Sequence, residues 1–203
     1  MSSMFKSVYF EQPEKFEFTQ ENLRLVEGII AKYPLGNQQS AIMPLLDLAQ
    51  RQHDNWLPIA AMDVIAEMLS MPKIRVYEVA SFYTMYNKQP IGKNLVQICR
   101  TTPCWLRGSD EITRTCRKKL GIDIGETTKD GKFTLVEVEC LGACVNAPMV
   151  QINNDYYEDL DPSSMGKILD ELASGVLPKC GSQTGRHSSE PLGMKLELSK
   201  ELK

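Results

Sequence analysis

The chain has 203 residues, 42% apolar and 24% charged, which is room for one ordinary domain or two small ones and excludes full disorder. A formal net charge of -3 leaves no basic surplus for general nucleic-acid binding. No apolar run reaches the 18 or so residues that a membrane-spanning helix needs.

Residues 1–18 read as an arm with several aromatics (Phe5, Tyr9, Phe10, Phe16, Phe18) and no period. The stretch has no apolar signal core, and Glu11, Glu14 and Glu17 speak against a mitochondrial presequence. A reducing, cytosolic setting is therefore expected, in which paired cysteines bind metal or do redox work rather than form disulfides.

Residues 19–87 carry helical periodicity and are expected to form a small helical bundle. Leu23, Val26, Ile30 and Tyr33 mark a first helix with Thr19 as its cap. Ile42, Leu45, Leu46 and Ala49 mark a second, from about Ser40 to His53, with Pro44 in its first turn or at a kink. A third opens at Pro58 and presents Ala61, Val64, Ile65 and Met68. A fourth opens near Pro72 and presents Val76, Val79, Ala80 and Tyr83. Residues 88–92 read as a linker.

Residues 93–178 change character. Asn94–Cys99 reads as a strand apolar on both faces, hence central. Ser109 is the expected cap of a helix bearing Ile112, Cys116 and Leu120, stopped at Gly121. Phe133–Cys140 reads as a second apolar strand. Asn153-Asn154-Asp155 reads as the turn of a hairpin, and Asp161-Pro162-Ser163 opens a final helix. The fold class expected is α+β, with the helical bundle followed by an α/β domain of the thioredoxin kind. Residues 179–203 read as a tail. The six acids and one base of residues 151–175 read as a solvated face.

Four of the six cysteines form two pairs, Cys99-x4-Cys104 and Cys140-x3-Cys144, each following an expected strand. If those strands are neighbours, the four thiols converge. Converging thiols can form disulfides, hold zinc or hold an iron–sulfur cluster. Structural zinc favours tight C-x2-C knuckles, and wider spacings suit a [2Fe–2S] cluster, whose irons take two thiolates each. The spacing leaves zinc open as well. Cys116 lies on the apolar stripe of its helix and reads as core; Cys180 lies in the tail and reads as a free thiol. Reduction adds negative charge to such a cluster. A cation roughly 7 Å away, at an effective dielectric of about 20, contributes about 2 kcal/mol. For one electron that is on the order of 100 mV. Arg100 and Arg107 are the candidates, and solvated surface charges are the plainer alternative.

The stretch Cys99-Arg100-Thr101-Thr102-Pro103-Cys104 resembles the first cysteine loop of the thioredoxin-like [2Fe–2S] subunit family of NADH:quinone oxidoreductase (respiratory complex I), whose mitochondrial members are called NADH dehydrogenase flavoprotein 2. Val138-Glu139-Cys140-Leu141-Gly142-Ala143-Cys144-Val145-Asn146-Ala147-Pro148 resembles its second loop, and Arg75–Tyr86 its last N-terminal helix. Residues from about 15 to 178 fit, and the tail around Gly185-Arg186 resembles the longer members. The resemblance implies one [2Fe–2S] cluster held by Cys99, Cys104, Cys140 and Cys144. It also implies a subunit not catalytic alone that exchanges an electron with the FMN of a partner subunit, the NADH-binding flavoprotein. Other peripheral-arm subunits of complex I are further implied partners; nucleic acid is not. The place implied is the cytoplasmic side of a bacterial inner membrane, or the matrix side for an organellar chain. NAD-linked hydrogenases and formate dehydrogenases have related subunits. A zinc-stabilised adaptor and a thiol oxidoreductase are the readings from other classes, and the lack of C-x-x-C counts against the latter.

Overall fold

A computed structural model describes residues 10–191; the first nine residues of the expected arm and residues 192–203 of the tail lie outside it. The described chain divides into two compact units, meeting in sequence between Ile91 and Gly92.

The first unit contains α1 (Gln20–Ile30), a 3-10 turn (Gln38–Ala41), α2 (Ile42–Gln52), α3 (Ile59–Met68) and α4 (Lys73–Phe82). Thr19 caps α1 as expected, its hydroxyl accepting from the Asn22 N–H at 3.2 Å. Pro58 and Pro72 occupy the caps of α3 and α4. Leu45, Leu46, Ala49, Ala61, Ile65 and Val76 fill the core, joined by Phe16 and Phe18. Gln52 pins that aromatic segment: its Nε2 donates to the Glu17 carbonyl, and its Oε1 accepts from the Thr19 N–H. Two residues expected on the apolar faces point outward. Met68 is exposed where Leu69 is buried, and Tyr83 caps the C-terminal end of α4 in extended conformation, leaving Val76 and Ala80 as that helix's buried pair.

The second unit is built on β1 (Asn94–Cys99), β2 (Glu126–Thr127), β3 (Phe133–Val138), β4 (Val150–Ile152), β5 (Asp155–Glu158) and β6 (Gly181–Ser182). The sheet order is β2-β3-β1-β4-β5-β6, so β1 is central, as its two apolar faces require. β1 and β3 are parallel; β4 runs antiparallel to β1, and β5 pairs with β4 as the expected hairpin. The helices are α5 (Thr102–Leu106), α6 (Ser109–Leu120) and α7 (Pro162–Ala173). Val96, Ile98, Val150 and Ile152 pack with Ile112 and Cys116 of α6 and with Met165, Ile168 and Leu169 of α7. Side chains alternate along a strand, so Cys99 falls on the other face. There it joins Cys104, Ala147 and Met149 in a second, smaller apolar cluster.

Three local features depart from expectation. The cap of α6 is Gly108 at φ 96°, a conformation suited to glycine, while Ser109 is already helical, fully buried and without a hydrogen-bond partner for its hydroxyl. α5 replaces an expected loop. Residues 181–182 form β6 beside β5, so this part of the tail is sheet.

Candidate redox centre

β1 and β3 set the site. Their parallel register pairs Cys99 with Val138, which places Cys140 two residues past the partner of Cys99 at the same end of the sheet. The chain leaves β1 through Arg100 and Thr101 and turns at once into α5, with Pro103 in its first turn. One helical turn carries Cys104 back to Cys99, and both are 1% exposed. Thr101 stands at the cap of α5, but its hydroxyl is 3.4 Å from Cys99 Sγ instead of bonding the helix end.

After β3, Cys140 and Cys144 flank a turn in which Gly142 adopts φ 88°. The turn aims the Gly142 N–H at Cys140 Sγ, 3.4 Å away, and Cys140 and Cys144 lie sulfur to sulfur at 3.4 Å. A 3-10 turn, Cys144–Asn146, continues the loop. Tyr156 donates its hydroxyl to the Leu141 carbonyl at 2.8 Å, tying the loop to β5. Leu141, Ala143 and Tyr156 pack against the apolar cluster that contains Cys99 and Cys104. Cys140 is exposed and Cys144 half-buried. The four thiols therefore meet with one pair inside and one pair facing outward.

Their acidities record this arrangement. Burial pushes the Cys99 thiol up, but hydrogen bonds from Thr101 and from the Leu141 backbone outweigh it, and the net shift is down. Cys140 is also held down, first by the Gly142 N–H. Burial drives Cys104 up to about 12, and ionised neighbours add to the resistance. Cys144 is raised chiefly by Cys140. Four thiols this close resist full ionisation until cations stand among them.

The expected tuning cations are otherwise engaged. Arg100 pairs with Asp110 at 2.6 Å and with Glu137, so its charge is balanced locally. Arg107 directs its Nε at the Ala147 carbonyl at 3.5 Å, bracing the second loop. Cys116 is fully buried in the helix–sheet core, away from this cluster, and Cys180 is exposed on the segment before β6. Trp105, Leu106 and Val145, next in sequence to Cys104 and Cys144, are all more than half exposed. Asp159, read from sequence as part of a solvated face, has a side chain only 7% exposed and paired with Arg186. No composition signal marked that pair.

All-thiol donors are soft ligands of the kind that select iron–sulfur clusters, zinc or cuprous ion. A two-iron group, which takes one thiol pair at each end, fits these two pairs.

The family model for thioredoxin-like [2Fe-2S] ferredoxins matches residues 26–173. The E subunit of NADH-quinone oxidoreductase from Rickettsia bellii is 62% identical over 157 residues, 77% of this chain and 94% of that protein. The mitochondrial NADH dehydrogenase [ubiquinone] flavoprotein 2 of Dictyostelium discoideum is 58% identical over 175 residues, 86% of this chain and 71% of that one. Among solved structures, an NAD+-reducing [NiFe]-hydrogenase in the H2-reduced state superposes with a TM-score of 0.57 over 66% of this chain and 23% of its own, at 19% identity, a likeness of fold. With the match spanning both units and both cysteine loops inside it, the chain belongs to the thioredoxin-like [2Fe-2S] ferredoxin family.

Proposed function

We propose that this chain is an electron-transfer subunit of a respiratory NADH:quinone oxidoreductase, with Cys99, Cys104, Cys140 and Cys144 holding one [2Fe–2S] cluster. The observation that carries the reading is the convergence of two cysteine pairs at one end of the parallel β1–β3 pair. Relatives bearing that subunit's name align over most of this chain. When bound, the cluster supplies a one-electron acceptor and donor.

The chain's own residues do the rest. Cys99 and Cys104 sit in an apolar floor with Ala147 and Met149, which excludes water from one side. The Gly142 N–H and the Thr101 hydroxyl point at sulfur and stabilise negative charge there, which favours the reduced state. Cys140 and Cys144 face outward, so the short path for an electron leads through the second loop. Exposed Trp105, Leu106 and Val145 beside that path suit a protein surface with an apolar patch. The partner that fits is the flavoprotein subunit carrying NADH and FMN, within a larger peripheral arm. No helix among the described residues is long and apolar enough to cross a membrane. Partnership with an NADH-oxidising flavoprotein puts the chain's place at the face of the membrane where NADH is oxidised, cytoplasmic in bacteria or matrix in mitochondria.

The test is EPR of the anaerobically purified protein before and after dithionite, with iron and sulfide counted on the same sample. An S = 1/2 signal on reduction, with iron and sulfide in equal amounts, is expected. Zinc without acid-labile sulfide would sink the reading. Mixing with the flavoprotein subunit and NADH should then reduce the cluster without dithionite.

A further inference from the structure

Arg186 lies past residue 173, where the family match ends. It follows β6 in a strap that returns to the second cysteine loop. Its side chain is 8% exposed and forms a 3.1 Å ion pair with Asp159, whose side chain is 7% exposed. The same guanidinium donates to the Val145 carbonyl from both terminal nitrogens, at 3.3 and 3.4 Å, and to Asn146 Oδ1 at 3.4 Å. Val145 and Asn146 are the two residues that follow Cys144 in its 3-10 turn.

Other bonds close the ring. The Asp159 N–H donates to the Asn146 carbonyl at 2.7 Å, and Asn146 Nδ2 donates to the Ser188 carbonyl at 2.8 Å. Ser182 of β6 donates its hydroxyl to Asp159 Oδ2 at 2.6 Å and accepts from the Arg186 N–H at 3.2 Å. Arg186 Nε is buried and has no hydrogen-bond partner. The side chain is thus oriented by what its two terminal nitrogens grip, namely Asp159 and the Cys144 turn. A planar fork can hold a carboxylate and two loop oxygens together; a lysine ammonium on its flexible stem lacks that geometry.

We propose that Arg186 is a positioning residue for the redox centre: the 181–188 strap uses it to clamp the turn that bears Cys144, fixing the outward edge of the cysteine site. The inference rests on Cys144 being a ligand. Groups behind a ligand hold its geometry, and their loss typically lowers metal affinity by about 10- to 100-fold. The clamp leaves the buried pair, Cys99 and Cys104, untouched. It acts where the site is least enclosed, on a loop that Tyr156, Arg107 and the Asp159 N–H also hold.

The experiment uses the full-length holoprotein in four forms: unchanged, Arg186→Lys, the charge-neutral pair Arg186→Gln with Asp159→Asn, and Cys144→Ser. Each is followed by EPR after dithionite, by midpoint potential, by the rate of cluster loss to an iron chelator, and by thermal unfolding. Both strap variants should assemble a cluster with broadened EPR features and lose it roughly 10-fold faster. Arg186→Lys should fall short of rescue although it keeps the charge. Unchanged spectra and unchanged cluster loss, with or without a lower melting temperature, would overturn the proposal and leave Arg186 a simple strap anchor. So would failure of both strap variants to fold, because positioning requires that the unit form without the clamp. Should Cys144→Ser keep the unmodified EPR signal, the ligand reading itself fails, which the strap variants alone could not reveal.

Discussion

Cys99 and Val138 are register partners on neighbouring parallel strands, and from that single pairing the geometry of the site follows. Slipping the register by one residue would turn the buried side chains of β3 to the wrong face. It would also carry Cys140 out of reach of Cys99. The register is fixed partly at the opposite end of the strands, where the Gly92 N–H donates to Thr134 Oγ1 at 2.6 Å.

Gly92 therefore makes the first prediction. A Cβ there would stand 2.7 Å from the Phe133 carbonyl carbon and 2.8 Å from its nitrogen, both backbone atoms that cannot swing aside. Gly92→Ala should destabilise the second unit by about 1–3 kcal/mol. Thermal unfolding followed by circular dichroism measures the loss. A melting temperature equal to that of the unmodified protein would mean that the close approach is not a constraint in solution.

The cysteines separate into ligands and bystanders. Cys104→Ala should abolish the reduced-state EPR signal, whereas Cys116→Ala and Cys180→Ala should keep it. Cys116 is fully enclosed, and burial pushes its thiol up to about 12. It should resist alkylation in the folded protein and react only on unfolding, while exposed Cys180 reacts at once. Removing the Cys116 sulfur should cost roughly 1 kcal/mol through the cavity left behind. A full EPR signal from Cys104→Ala would contradict the ligand set.

Much of this fold could be read from residue pattern, and the misses share a physical cause. β1 was legible because Leu95, Val96 and Ile98 run apolar on both faces, and α1 and α7 because Thr19 and Asp161 announce their starts. The convergence of the four cysteines was legible as a condition, namely that β1 and β3 be neighbours. α5, β2 and β6 are five, two and two residues long, too short for a period to show. Which cysteine pair is buried depends on how α5 turns back over β1. The Asp159–Arg186 pair joins positions 27 apart, and neither carries a local signal of burial. Local pattern reports local structure, while the loop chemistry is set by long-range packing.

Asp161 supplies a pH-dependent term. Its carboxylate accepts from the Ser164 N–H at 2.7 Å, and the Ser164 hydroxyl accepts from the Asp161 N–H at 2.9 Å, a reciprocal cap on α7. The Ser164 backbone bond is the main cause holding its acidity below the ordinary carboxylate value of 3.8. The folded value is the lower one. The stabilisation is therefore complete above the unfolded value and is lost as pH falls through the folded one. Asp161→Ala should cost about 1 kcal/mol at neutral pH, whereas Asp161→Asn should keep most of the cap and lose its acid sensitivity. Melting temperatures at neutral pH and near pH 3 distinguish the three proteins; equal acid sensitivity in the Asn variant would rule out this carboxylate as the source.

Trp105 tests the docking side of the proposed function. It is 54% exposed on α5, one residue from buried Cys104, with Leu106 at 70% and Val145 at 66% also exposed. Isolated exposed apolar residues are ordinary, but three that adjoin two proposed ligands stand where a redox partner has to approach. Large aromatics dominate the energetics of such contacts when a partner covers them. Trp105→Ala should leave the EPR signal of the isolated subunit unchanged. It should weaken binding to the NADH-oxidising flavoprotein subunit roughly tenfold, equivalent to about 1.4 kcal/mol. Because the patch is apolar, that loss should depend little on salt, unlike a contact built on exposed ion pairs. Calorimetry at two ionic strengths reads both quantities. Undiminished affinity would place the docking surface elsewhere on the chain, while a changed EPR signal would make Trp105 part of the cluster's own environment.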